Sequence, residues 1–305
     1  MRGKRFRLIA AKMSESTNAA APIGSQCHGE WQLSTHFLTF AAYVRVRPKS
    51  LPGRSHSARD WGVRASNLAF AAVLALPSAA LAGPPFLTDD PEPTDLHHWE
   101  IYAPLLEISG KGANYEGSLE GEFNYGAAPG VQITMGVPFA YAHDQAGMHS
   151  GLGDLEFSVK YRFYHDGAGG VSIAAFPGVT LPTATHGLGS DHVTALLPVW
   201  GQKDFDDWSV FGGGGYSINP GRGNRDFWTG GVALTRKFSD ALLVGIEVDR
   251  EGADTVDGRA STSLGMGAIL QVPKPFRILA SGGPTFVDGS GAAEFHGFLA
   301  LGLDF

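Results

Sequence analysis

From residue 97 onward, apolar residues recur at every second position. In GDLEFSVKYRFYH (153–165), Leu155, Phe157, Val159, Tyr161 and Phe163 share one face, and Asp154, Glu156, Ser158, Lys160 and Arg162 share the other. A helix would scatter those charges around its circumference, whereas a strand gathers them on one side. The same alternation runs through GVQITMGVPFAYAH (130–143), with Val131, Ile133, Met135, Val137, Phe139 and Tyr141 in step. It recurs in ALLVGIEVDRE (241–251), with Leu242, Val244, Ile246 and Val248 opposite Glu247 and Asp249.

The pattern predicts twelve strands, at 97–109, 115–127, 130–143, 152–165, 170–184, 191–202, 205–217, 225–238, 241–252, 257–273, 276–286 and 293–305. Short turn sequences (APG, DGAG, FSDA, PKP) alternate with longer polar ones (DQAGMHSG, THGLGS, NPGRGN, GADTVD). Long alternating strands with short turns at one end and longer loops at the other mark an all-β, antiparallel up-and-down transmembrane barrel of the bacterial outer-membrane type. A soluble β-sandwich also alternates, but its strands usually run to about 5–6 residues. An even strand count returns both termini to the side of the short turns, the periplasm. Trp99, Phe123, Tyr125, Phe139, Tyr141, Phe163, Trp208, Tyr216, Trp228, Phe238 and Phe305 are expected to form the interfacial girdles.

The last segment, AEFHGFLALGLDF, alternates up to its final residue, Phe305. A barrel pairs its last strand with its first to leave no open edge in lipid. Leu301, Leu303 and Phe305 therefore read as the wall-forming end of the chain. They resemble the C-terminal signal that barrel-assembly machinery reads in outer-membrane proteins.

Charge divides the chain. Residues 1–82 hold 11 Lys/Arg and 3 Asp/Glu, while residues 83–305 hold 12 and 27. An acidic body lacks the basic face of a nucleic-acid binder. Within the basic front, WGVRASNLAFAAVLALPSAALAG (61–83) has a positive residue, a short apolar run and a small-residue ending. This is the layout of a signal peptide cleaved between Ala82 and Gly83, with Ala80 completing the recognition triplet. The expected organisation is a mis-assigned start or unstructured leader over 1–62, a signal peptide over 63–82, a periplasmic segment or small plug over 83–96, and the barrel over 97–305. The lone Cys27 falls in the leader, so an exported chain would carry no disulfide.

Alternation assigns Glu100, Glu116, Glu120, Glu122, Asp154 and Glu156 to the lumen. It also places Lys160, Arg162, Glu247, Asp249, Arg277, Glu294 and His296 there. Charges facing into a barrel must be paired or wet. They make either a salt-bridged, sealed interior or a hydrated acidic pore that prefers cations and neutral solutes. The run Asp89, Asp90, Glu92, Asp95 lacks the spacing and central Gly of a calcium loop, and its prolines favour a solvated periplasmic lead-in. The GGGG at 212–215 lacks the following Lys-Ser/Thr of a phosphate loop and reads as small residues making room. His97 and His98 read as interfacial. No spacing joins His296 to a strand serine as in a membrane-embedded hydrolase, so no catalytic residue, metal or cofactor is assigned.

The run GPPFLTDDPEPTDLHHWEIY (83–102) resembles the opening of the outer-membrane transporter-like family named after the meta-pathway of phenol degradation. The resemblance implies an outer-membrane barrel moving small organic or aromatic compounds. The expected function is passive uptake of such solutes by a monomeric barrel whose partners are outer-membrane lipids and the assembly machinery. The alternatives are a closed structural or adhesion barrel and, further off, a hydrolase.

Overall fold

In a computed structural model, which describes residues 85–305, every alternating segment is extended. The strands are β1 (Trp99–Lys111), β2 (Asn114–Ala128), β3 (Val131–Asp144), β4 (Gly147–Leu152), β5 (Leu155–Asp166), β6 (Val171–Ala175) and β7 (Gly178–Leu181). They continue with β8 (Thr194–Phe205), β9 (Trp208–Ile218), β10 (Phe227–Ser239), β11 (Leu242–Glu251), β12 (Ser261–Gln271), β13 (Phe276–Val287) and β14 (Glu294–Asp304). All pairings between strands are antiparallel, and β1 closes the sheet on β14. At the seam, Trp99 donates to the Phe305 carbonyl at 2.7 Å and Phe305 to the Trp99 carbonyl at 3.1 Å. The result is a closed twelve-staved barrel, because β4 with β5, and β6 with β7, each make one interrupted stave.

Both interruptions have a local cause. At Phe176-Pro177, proline removes a ladder donor. The ladder is bridged there by Val159 N–H to the Pro177 carbonyl and Phe176 N–H to the Pro198 carbonyl. Between β4 and β5, β3 changes partner from Leu152 to Glu156, and Gly153 N–H still reaches the Pro138 carbonyl at 2.9 Å. The expected open loop DQAGMHSG is therefore corrected. Its second half is β4, which extends the β3 hairpin because Met148 and Ser150 continue the outward phase, with Gly151 buried inside.

The two faces meet different surroundings. Outward residues such as Trp228 (68% exposed), Met266 (63%) and Val232 (52%) form an apolar belt too continuous for an aqueous surface. Aromatics rim it at both ends. Trp99 lies against Tyr125 with centroids 4.8 Å apart near the termini, and Tyr216 against Trp228 at 5.2 Å at the far end. Phe123 and Phe139 are exceptions to the expected girdles, since they lie within their staves opposite Met135 and Leu119. No helix among the described residues is long and apolar enough to cross a membrane; the barrel would cross with strands.

The ends of the barrel differ. Near the termini the strands are joined by brief turns at 129–130, 167–170, 206–207, 240–241 and 272–275. The far end carries the longer connections 182–193, 219–226, 252–260 and 288–293, besides two tight hairpins. Loops 219–226 and 252–260 are tied together by an Asn224–Thr255 bridge and by Asn219 Nδ2 donating to the Asp254 carbonyl at 2.9 Å.

Candidate functional site: the lumen and its inner segment

Residues 85–94 touch staves on opposite sides of the barrel, and only a segment inside the lumen can do that. The Ser281 hydroxyl of β13 donates to the Pro85 carbonyl. Glu247 of β11 accepts the N–H groups of Leu87 at 3.0 Å and Thr88 at 2.9 Å. Across the lumen, Lys160 of β5 reaches Asp89 at 3.1 Å, Asp90 at 3.9 Å and the Glu92 carbonyl at 3.3 Å, and Arg162 pairs with Glu92. Gln132 of β3 then accepts the Thr94 N–H at 2.7 Å. The solvated lead-in expected for the acidic run is thereby corrected: Asp90 is 0% exposed and its neighbours are paired. Burial pushes the Asp90 carboxyl up from the ordinary 3.8 to about 7, against the opposing pull of Lys160.

Small residues make the bed for this segment. Phe86 lies edge-on to Phe211 with centroids 6.0 Å apart. A Cβ on Gly245 would come within 2.6 Å of the Phe86 ring, one on Gly267 within 2.9 Å, and one on Gly231 within 2.3 Å of the Thr88 hydroxyl. These inward glycines are the price of threading a chain through a twelve-staved barrel. The GGGG run packs instead against neighbouring wall: a Cβ on Gly213 would lie 2.1 Å from the Val199 carbonyl oxygen.

The other predicted lumen residues fall into groups. Near the termini, Arg277 of β13 pairs with Glu100, reaches Asp304 at 3.2 Å and donates to the Tyr102 hydroxyl at 2.6 Å. Beside that cluster Leu105, Ile269, Leu279 and Ala300 pack into an apolar fill. Glu120, Glu122 and Glu156 line the cavity beside the inner segment, with the Asn124–Gln132–Thr134 network below them. Glu116, Asp249, Glu294 and His296 line a second cavity toward the far end, bounded by Pro85–Leu87. Asp154 is not free lumen wall. Its two carboxylate oxygens accept the N–H groups of Ala184 at 2.9 Å and Ser190 at 2.6 Å, which pins loop 182–193 inward.

Among the inward carboxylates that escape the sequence reading are Glu107 and Glu251, each 7% exposed. Glu107 has the parity of Trp99 and Ile101, which face outward. A bulge between Tyr102 and Leu105 inverts the phase, and Pro104 is the only signal for it. Glu251 simply continues the parity of Glu247 and Asp249. The interior is not polar throughout: Leu196, Trp200, Phe211 and Phe227 are buried on inward positions of β8, β9 and β10. Leu301 and Leu303 stand on the outward face of β14, and Phe305, the residue after it, is exposed. The segments 1–62 and 63–82, and with them Ala80 and Ala82, lie outside the described residues, as do Gly83 and Pro84.

No protein-family model and no curated sequence matches the chain. Solved structures do. The crystal structure of an outer membrane channel from Pseudomonas putida F1 aligns with a TM-score of 0.57 at 16% identity, covering 71% of this chain and 98% of that one. The KdgM porin aligns with a TM-score of 0.47 at 12% identity over 66% of this chain and 99% of its own. The NanC porin aligns with a TM-score of 0.47 at 10% identity over 65% and 98%. The likeness to the Pseudomonas putida protein is one of fold, that of an outer-membrane barrel.

Proposed function

We propose that this chain is an outer-membrane channel for passive uptake of small organic solutes, aromatic or otherwise hydrophobic ones among them, with residues 85–94 as its resident constriction. The observation that carries the reading is the way the inner segment is held. It is tied by side chains of Glu247, Lys160, Arg162 and Gln132 rather than by strand pairing, and cavities lie on either side of it. A segment bound through a few polar contacts can shift without opening the wall. The carboxylates of the lumen support a preference for cations and neutral solutes over anions. Location in the outer membrane of a Gram-negative cell, export through a cleaved signal peptide, and recognition by assembly machinery through Leu301, Leu303 and Phe305 belong to the same proposal. So does a monomeric state.

The test is single-channel recording of the protein purified from outer membranes, under a salt gradient. Discrete steps whose reversal potential favours cations are expected. A barrel that stays silent both as wild type and with the inner segment loosened by Lys160→Met would overturn the channel. The closed structural reading, which the apolar fill around Leu105 and Leu279 favours, would then take its place.

A further inference from the structure

Arg236 of β10 stands on the lipid-facing side of the wall. It is in step with Val232, which is exposed, while Ala233 and Thr235 between them are buried on the inward side. Across the ladder it meets Trp208, the first residue of β9, so it lies beside the 206–207 turn at the end that holds the termini. Its guanidinium carbon is 5.2 Å from the Trp208 ring centroid and 5.0 Å from that of Phe238. Two rings of the girdle thus hold a cation at the depth where lipid headgroups begin. The guanidinium makes no hydrogen bond or ion pair among the described residues, the carboxylates of Asp206 and Asp207 in the adjoining turn included.

Other cations at the barrel ends are matched by the protein itself. Arg250 of β11, in step with outward Ile246 and Val248, pairs with Asp288 and donates to the Thr262 hydroxyl at 2.8 Å. Lys237, next to Arg236 in the chain, pairs with Asp240 at 2.8 Å. On the far side of β9, Lys203 of β8 also faces outward, in step with exposed Val199 and Phe205. It gives one N–H to the Gly169 carbonyl and keeps two donors. The outward patch over β8, β9 and β10 is therefore cationic and aromatic at the interface. Toward the middle of the wall it passes into exposed Val199, Val232 and Ile246. A planar fork of N–H donors suits a phosphate, which it can bind through two oxygens at once. The apolar surface beside it suits acyl chains, which a free phosphate lacks.

We infer that Arg236, between Trp208 and Phe238, is a binding site for the phosphate of an anionic phospholipid in the leaflet beside the termini, and that Lys203 extends it. The inference rests on the membrane reading of the barrel and not on flux. The probes are dioleoylphosphatidylglycerol and dioleoylphosphatidylcholine, titrated separately against the protein purified from outer membranes and delipidated in detergent. Native mass spectrometry reads the lipid adducts on the intact barrel. Phosphatidylglycerol is expected to bind about fivefold or more tightly than phosphatidylcholine, the order of one interfacial cation's share. Arg236→Gln should remove about fivefold of its affinity and Lys203→Gln about twofold, with phosphatidylcholine little changed. Arg250→Gln removes the same charge from a paired guanidinium and should leave the preference as it is. Excess glycerol phosphate should not displace the lipid. Heat-modifiable gel mobility reports whether each barrel has folded; if Arg236→Gln has not, the wild-type comparison and Lys203→Gln decide. Equal affinity of the wild type for both lipids would overturn the site. So would an Arg250→Gln loss as large as that of Arg236→Gln, which would mean bulk charge, or displacement by glycerol phosphate, which would mean a free anion. A barrel that conducts without lipid preference would lose the site and keep the channel. A lipid preference in a barrel that never conducts would do the reverse.

Discussion

Lys160 is a buried cation holding two carboxylates that the chain brings to it from another segment. Its side chain is 5% exposed, Asp90 is fully buried, and Asp89 is partly so. Removing one partner from such a cluster leaves uncompensated buried charge, which costs on the order of 3–5 kcal/mol. Asp90 can recover part of this by taking a proton. Lys160→Met is therefore expected to release the inner segment while leaving the wall intact. Longer or more frequent open events in single-channel records would show it, together with faster proteolysis within residues 85–94; unchanged records would remove Lys160 from the latch.

Asp90 also sets a direction with pH. The docked carboxyl titrates near 7, and a released one would return to about 3.8. Between those values the docked state holds a proton that the released state gives up. Docking is therefore strongest below about pH 4 and weakens as pH rises through about 7. The groups facing Asp90 are Lys160 of β5, Asp89 and Glu92 of its own segment, and Arg277 of β13 at longer range. Opening is expected to be rarer at pH 5 than at pH 8, and Asp90→Asn should flatten that difference. A pH dependence that Asp90→Asn leaves unchanged would assign it to another group.

At the scale of the element, loop 182–193 behaves as a folded-in cover rather than an open tip. Asp154 supplies it with two hydrogen bonds from a carboxylate, each worth about 1.5–3 kcal/mol when the acceptor is charged. The position of Asp154 explains why it can do this. It stands at the interruption between β4 and β5, where the stave steps aside and the side chain meets loop backbone instead of lumen. Asp154→Ala is expected to free the loop, with protease cleavage between residues 183 and 190 rising while the barrel keeps its heat-modifiable mobility. A loop cut no faster than in the wild type would mean that Leu188 packing alone holds it.

For the whole molecule, the wall separates two solvents, and the phase of each stave decides which one a side chain meets. Spin labels at Val232→Cys and Ala233→Cys should differ sharply, with lipid-soluble oxygen relaxing the first and not the second. Glu107→Cys should follow the inward set although strict parity from Trp99 places it outside. A lipid-exposed label at residue 107 would show that the β1 bulge is misplaced.

Strand number, antiparallel order and the two faces were legible in the chain because side chains alternate with a strict period of two, a local property that needs no knowledge of neighbours. Closure was legible as well, since open edges are not tolerated in lipid. Most lumen carboxylates followed from parity alone, as Glu120, Glu122 and Glu247 show. Parity failed where the ladder slips. The register shift before Leu105 turns Glu107 inward, and the break after Leu152 turns a supposed loop into β4. What each lumen charge meets lay beyond any local pattern. Lys160 finds Asp89, and Glu247 finds Leu87 and Thr88, across separations of 71, 160 and 159 residues. A charge's partner is fixed by distance in space and not by spacing along the chain. The acidic run thus became part of the lumen only when the closed barrel brought β5 and β11 to face it.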